Sequence, residues 1–145
     1  AATTLNTPLT DFTISFWMRS YSNITASTSS SQAAEYLFSY AATKALDNAL
    51  LIRSTPNVGF YIGQTEVGIT GDSMHDGQWH HYAFVHTMSN GLTTAYRDGG
   101  RVKVFNVRAG FTIPPGGLAV LGLEQDDVGG GFHIDQRFNG RVSQA

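Results

Sequence analysis

Phe12-Thr13-Ile14-Ser15-Phe16-Trp17-Met18-Arg19 sets the structural class of this chain. Phe12, Ile14, Phe16 and Met18 alternate with Thr13, Ser15, Trp17 and Arg19. A period of two is the spacing of side chains on opposite faces of a strand, so one face here is strongly apolar. Working outward, the same logic picks out more short strands separated by turn residues: Tyr36 to Tyr40, Leu50 to Arg53, Val58 to Gly63 and Glu66 to Ile69. Ser54-Thr55-Pro56-Asn57 carries turn chemistry, and Gly71-Asp72-Ser73 is expected to turn the chain. The run from Asp76 to His86 has apolar groups on both faces and belongs in the middle of a sheet. Leu92 to Tyr96 and Arg101 to Val107 flank Asp98-Gly99-Gly100, a tight hairpin signal. Ala1 to Leu9 shows no clear period and is expected along an edge. No segment keeps helical spacing over ten residues. The expected fold is therefore all-β, an antiparallel two-sheet sandwich of the jelly-roll type.

Composition narrows the function classes. At 145 residues, residues 1–145 are expected to form one domain, a segment of a longer protein, with enough chain to bury a core. The hydrophobic share of 41% against 14% charged residues is too apolar for a disordered chain. A net charge of -2 without a basic cluster argues against nucleic acid as a partner. Apolar runs fall short of the ~20 residues a membrane helix needs, so no insertion is expected. Cysteine is absent, which removes disulfides, thiolate metal sites and thiol nucleophiles together. Asn23-Ile24-Thr25 is a glycosylation sequon at Asn23, followed by the polar tract Ala26 to Ser31, which fits an exposed loop of a secreted protein.

The chemistry concentrates in Leu118 to Gly140. An apolar strand runs into Glu124, Gln125 and Asp126, then into Gly129-Gly130-Gly131, then into His133, Asp135 and Gln136. Calcium takes about six to eight oxygen ligands at once, and glycines let a loop fold so that carbonyls join side chains in supplying them. From these residues alone, an ordinary acidic surface loop is an equal reading.

Three passages together resemble the pentraxin family, a branch of the laminin-G-like and concanavalin A-like sandwiches. They are Leu37 to Asn48, Asp76 to Val85 with Arg97-Asp98-Gly99, and Leu121 to Phe132 with its Gly-x-Glu-Gln-Asp-x-x-Gly-Gly pattern. The resemblance implies a pair of calcium ions on one face. Their ligands would be Asp47 and Asn48 from one loop, Glu124, the Gln125 carbonyl and Asp126 from a second, and Gln136 from that loop's end. It also implies a calcium-dependent extracellular recognition or adhesion domain for an anionic small molecule or glycan, or for another protein, with a possible homo-oligomer.

The chain departs from the family pattern at four places. His133 stands where the family has a carboxylate bridging both ions, so one calcium is expected in full and the second is weakened. Ser15 and Ala83 stand at the family's paired cysteines, on strands expected to be neighbours. Arg53 stands at the aromatic position of the choline pocket, so phosphocholine is not carried over. The given sequence stops at Gly140 to Ala145, where the family continues with a further strand and a closing segment: either residues beyond complete the domain, or the fold is truncated and the edge left open would tend to pair with another chain.

Other readings carry less. Glu124 and Asp126 match half of a glycosidase Glu-x-Asp-x-x-Glu pattern, but Gly129 stands at the second glutamate, so an enzyme is not expected. His75, His80, His81 and His86 read as packed or surface histidines, and Trp17 and Trp79 as core residues. A structural assembly module of a surface receptor or filament, without ligand binding, is the alternative function.

Overall fold

The protein is represented by a computed structural model, which describes residues 2–23 and 34–144. Among these, the chain forms β1 (Ala2–Thr4), β2 (Phe12–Ser20), β3 (Glu35–Ala41), β4 (Leu50–Thr55), β5 (Asn57–Ile62) and β6 (Thr65–Ser73). It continues through β7 (His80–Thr87), β8 (Leu92–Arg97), β9 (Gly100–Asn106), β10 (Leu118–Leu121), a 3-10 turn over Ile134–Gln136, and β11 (Gly140–Ser143). A six-stranded sheet has the order β1-β10-β3-β4-β5-β6, and a five-stranded sheet the order β11-β2-β7-β8-β9. The strand pairings in both are antiparallel. This is the two-sheet sandwich expected from the alternation.

The apolar face of β2 does what its period requires. Phe16 and Met18 are buried with Tyr82 and Phe84 of β7, against Leu50, Ile52, Val58, Phe60 and Ile62 of the other sheet. Phe60 stacks on Phe84 across the two layers, with ring centroids 5.1 Å apart. Truncating such a buried ring costs about 3–5 kcal/mol, because the lost burial is compounded by a cavity. β7 lies between β2 and β8, in the central position expected for it. Ser15 sits directly opposite Ala83, so two small side chains face each other across this pair.

At the hairpin, Asp98 and Gly99 take φ of 51° and 80°, the two left-handed residues of a tight turn matched to strand twist. Gly100 is already strand, paired with Arg97.

The structure corrects several expectations. β6 does not end at Gly71-Asp72-Ser73 but runs through it to a Ser73–Asn57 pair. Gly71 (φ 84°) and the irregular register at Asn57 absorb the kink, and the Gly71 N–H donates to Asn57 Oδ1 at 3.1 Å. Ser54 to Asn57 is likewise mostly strand, since β4 and β5 close on Pro56 with Thr55 paired to Asn57. Trp17 and Trp79 are not core residues: they are 39% and 41% exposed and line a shallow cleft with Ser143 and Gln144. The alternation puts Trp17 on the face away from Phe16 and Met18, where its bulk meets His81 rather than the core. Asn23 is exposed, whereas the rest of its sequon and the Ala26 to Ser31 tract lie outside the described residues.

Candidate metal centre

β10 pairs with β3, with Leu118 opposite Ala41 and Leu121 opposite Phe38. Beyond β10 the chain reverses at Gly122 (φ 82°), whose N–H donates to Leu37 O. Gln125 then fastens the returning chain. Its buried Nε2 donates to Ser39 O at 3.3 Å and to Leu118 O at 2.7 Å, and its Oε1 accepts the Gly129 N–H at 2.9 Å. The side chain is thus consumed by scaffolding, and what Gln125 can offer a cation is its backbone carbonyl. The loop also packs against itself at Gly131 (φ 67°), where a Cβ would come within 2.7 Å of Asp126 Cβ, so only glycine fits.

This fastening brings two distant loops together. Asp47, Glu124 and Asp126 each present a carboxylate oxygen, and these oxygens lie within 4.8 Å of one another. Asp47 is held from its own side: Asn48 donates to its Oδ1 through N and Nδ2 at 2.9 and 3.3 Å, and Gln64 Nε2 donates to the same atom at 2.5 Å. Glu124 is buried, and its Oε2 has no hydrogen-bond partner. Burial first, and then the negative charges of Asp126 and Asp47, push its carboxyl up to about 7. Gln136, in the 3-10 turn, likewise leaves a buried Oε1 without a partner. The unsatisfied buried oxygen of Glu124 among converging carboxylates fits a hard cation, because unpaired it costs free energy and a cation needs many oxygens at once.

His133 lies at the rim, 62% exposed in its side chain, with Nε2 3.2 Å from Asp126 Oδ2. Neither Asp127 nor Asp135 joins the three converging carboxylates. Asp127 Oδ1 accepts the Val128 N–H, and exposed Asp135 lines a cavity with Glu35, Arg137 and Asn139. Arg53 forms a two-pronged pair with Glu66 at 3.1 and 2.9 Å and lies over the Tyr61 ring. The four histidines are engaged separately. His75 meets Ser20 Oγ, His81 packs on Trp17, and His86 meets Thr93 Oγ1. His80 is clamped between Asp76 at 2.7 Å and Asp98 at 2.6 Å.

Two groups escape the sequence. Gln64 is linked to Asp47 only because the turn after β5 folds under the β3–β4 loop, and no spacing signals it. The ion network of Asp72, Asp76, His80, Arg97 and Asp98 is the second. Its signal was the four-residue step from Asp76 to His80 next to the Arg97-Asp98 turn, within a passage already singled out for its aromatics.

With this geometry in view, comparison with known proteins is decisive for kinship. The sequence profile of the Pentaxin family matches residues 2–145. The chain belongs to the pentraxin family. Neuronal pentraxin-2 of Mus musculus is 34% identical over 134 residues, covering 92% of this chain and 29% of that protein. The heptameric SAP-like pentraxin from Limulus polyphemus superposes with a TM-score of 0.78 at 26% identity, over 97% of this chain and 64% of that one. Domains LG4-5 of the mouse laminin alpha1 chain share the fold, with a TM-score of 0.64 at 13% identity. This pentraxin chain therefore spans less than a third of the length of neuronal pentraxin-2, and its two-loop carboxylate cluster sits on a pentraxin sandwich.

Proposed function

We propose that this domain is a calcium-dependent recognition module of an extracellular protein, without catalytic activity of its own. The observation that carries the reading is the meeting of Asp47 with Glu124 and Asp126, from loops some 75 residues apart, around a buried Glu124 oxygen that nothing satisfies. One calcium would be held by Asp47, Asn48, Glu124, the Gln125 carbonyl, Asp126 and Gln136, and it would supply the positive charge that the three carboxylates lack. Bound there, the ion would pin the β10–β11 loop to the β3–β4 loop and turn open coordination positions toward solvent. An anionic group or the hydroxyls of a glycan fit such positions. Arg53, paired with Glu66 and lying over Tyr61, stands where the family's choline pocket has its aromatic residue, so a choline-like cation is not part of this reading.

Isothermal titration with calcium tests the reading directly. The unmutated domain binds one equivalent, and Asp126→Ala abolishes the heat. No heat with the unmutated domain removes the mechanism.

A second reading, assembly between copies, is favoured by the edge strand β9, which exposes Val102 and Val104. Sizing with and without a chelator separates the two. Oligomers indifferent to the chelator support assembly, and a monomer that binds calcium supports recognition.

A further inference from the structure

The register of the five-stranded sheet assembles a patch that has no part in the carboxylate cluster. On β2, Trp17, Arg19 and Tyr21 alternate with buried Phe16, Met18 and Ser20, so they lie on the face turned away from the core. β11 sets Arg141 opposite Arg19 and Ser143 opposite Trp17, and β7 sets His81 opposite Trp17 from the other side. Trp79, two residues before His81, closes a cleft of about 330 Å³ that Trp17, Ser143 and Gln144 also line.

Two features of the patch point to an anion. Residues directly opposed in an antiparallel pair have Cβ atoms about 4.5–5.5 Å apart, and like charges there are destabilising. Arg19 and Arg141 stand in that relation, and among the described residues neither pairs with a carboxylate. Asp98, which accepts the His81 N–H, is already matched by His80 and Arg97. Arg19 is also held over the Tyr21 ring, 5.4 Å from its centroid, yet its buried Nε donates to nothing. A buried N–H without an acceptor costs free energy that a bound oxygen recovers.

We propose that this outer face binds a carboxylate-bearing sugar without calcium, the carboxylate bridged by Arg19 and Arg141 and the sugar ring laid against Trp17 and Trp79. The two half-exposed indoles offer flat apolar surface to the C–H face of a pyranose, and Ser143 and Gln144 can bond its hydroxyls. A guanidinium fork matches a carboxylate in two parallel hydrogen bonds. A simple anion would leave the indoles uncovered, and a neutral sugar would leave the arginines repelling each other. The cleft is at the small end of ligand sites, which suits a terminal sugar and not a length of polymer. Sugars of the sialic acid and uronic acid types share this chemistry.

Both tryptophans of the chain line the cleft, so intrinsic fluorescence reports on this face alone. The test titrates the domain with sialyllactose, methyl glucuronide and neutral lactose, first in a chelator and then in calcium. One or both acidic sugars should change the emission saturably, with equal affinity in the two buffers, and lactose should not; a response to one acidic sugar alone identifies the type. Arg19→Ala and Arg141→Ala should each weaken binding by about tenfold or more. Arg141→Ala should do so without lowering the urea midpoint, because the repulsion across the ladder is removed with it. Trp17→Ala, followed by saturation-transfer NMR on the sugar, should lose binding. No response to either acidic sugar, lactose bound as tightly, or unchanged affinity in Arg141→Ala overturns the proposal. Binding seen only with calcium overturns it as well and assigns the sugar to the carboxylate cluster, whereas binding in chelator by a domain that takes up no calcium sinks the calcium reading alone.

Discussion

Two clusters in this protein each gather three carboxylates, and they have opposite electrostatic fates. Asp72, Asp76 and Asp98 are met by Arg97 and His80. Arg97 reaches Asp72 at 2.8 Å and Asp76 at 2.9 Å, and His80 is bonded on both nitrogens. Among the described residues, Asp47, Glu124 and Asp126 have no cationic partner but His133, at the exposed rim. In the first cluster, burial pushes Asp76 and Asp98 up, but backbone N–H donors, His80 and Arg97 outweigh it and hold both below the usual carboxylate range. In the second, burial and like charge act together and drive Glu124 up to about 7. A matched cluster is mortar between the turn before β7 and the β8–β9 hairpin. An unmatched one is a site in want of a cation. The number of acidic groups distinguishes nothing; the number of cations reaching them does.

The largest effect expected is on the unmatched side. Glu124→Gln should cut calcium affinity by about a hundredfold or more, since it removes the buried charged donor, and titration calorimetry reads this. In the matched cluster, Arg97→Ala should cost about 2 kcal/mol in urea unfolding, because Asp72 is left buried with its charge uncompensated and the remaining pairs are partly screened. The same substitution should leave calcium affinity within about twofold, which is what makes the comparison sharp. A large calcium effect of Arg97→Ala would show that the two clusters are coupled.

The pH responses have opposite signs. Glu124 has a folded pKa raised above its unfolded value of 4.5, so its contribution to metal-free stability is fully present below that value and is lost as pH rises through about 7. Asp76 and Asp98 have folded pKa values below the unfolded 3.8, so their contribution is present above it and disappears as pH falls through the lowered values. Relative to Glu124→Gln, the unmutated domain without calcium should therefore lose thermal stability from pH 5 to pH 8, a difference in which the opposing titrations of buried His75 and His86 cancel. Calcium competes with the proton on Glu124, so affinity should fall by about tenfold per pH unit below 7, with proton release detectable by calorimetry in buffers of different ionisation heat. The smallest effect belongs to Gln64→Ala. It frees Asp47 Oδ1 from one donor and should weaken calcium by about threefold while leaving stability almost unchanged.

The fold was legible because period and turn chemistry agree. Phe12 to Met18 alternate, Asp98-Gly99 demands a left-handed turn, and β7 carries apolar groups on both sides. The errors have a common cause. A tryptophan usually reads as core, but the alternation of this strand puts Trp17 with Thr13 and Ser15 on the outer face. At Gly71, a residue that usually ends strands made a bulge in one. In the carboxylate cluster, Glu124 and Asp126 were visible as donors, but nothing in spacing joined them to Asp47; that link came from kinship. Gln64 was invisible because its contact depends on how two turns stack, a property of the folded chain and not of any local pattern.

Gln125 bolts the returning loop to both β3 and β10 through one buried amide group. Mechanically, this divides the loop into an anchored half and a free half. Residues up to Gly129 ride with the sheet, so their amides should exchange with solvent slowly whether or not calcium is present. Residues from Gly131 to Asp135 lie between this bolt and the Phe138 N–H bond to Gly122 O, and should exchange quickly until a cation ties Asp126 and Gln136 together. Loading would then be local and fast, with the sandwich itself unmoved.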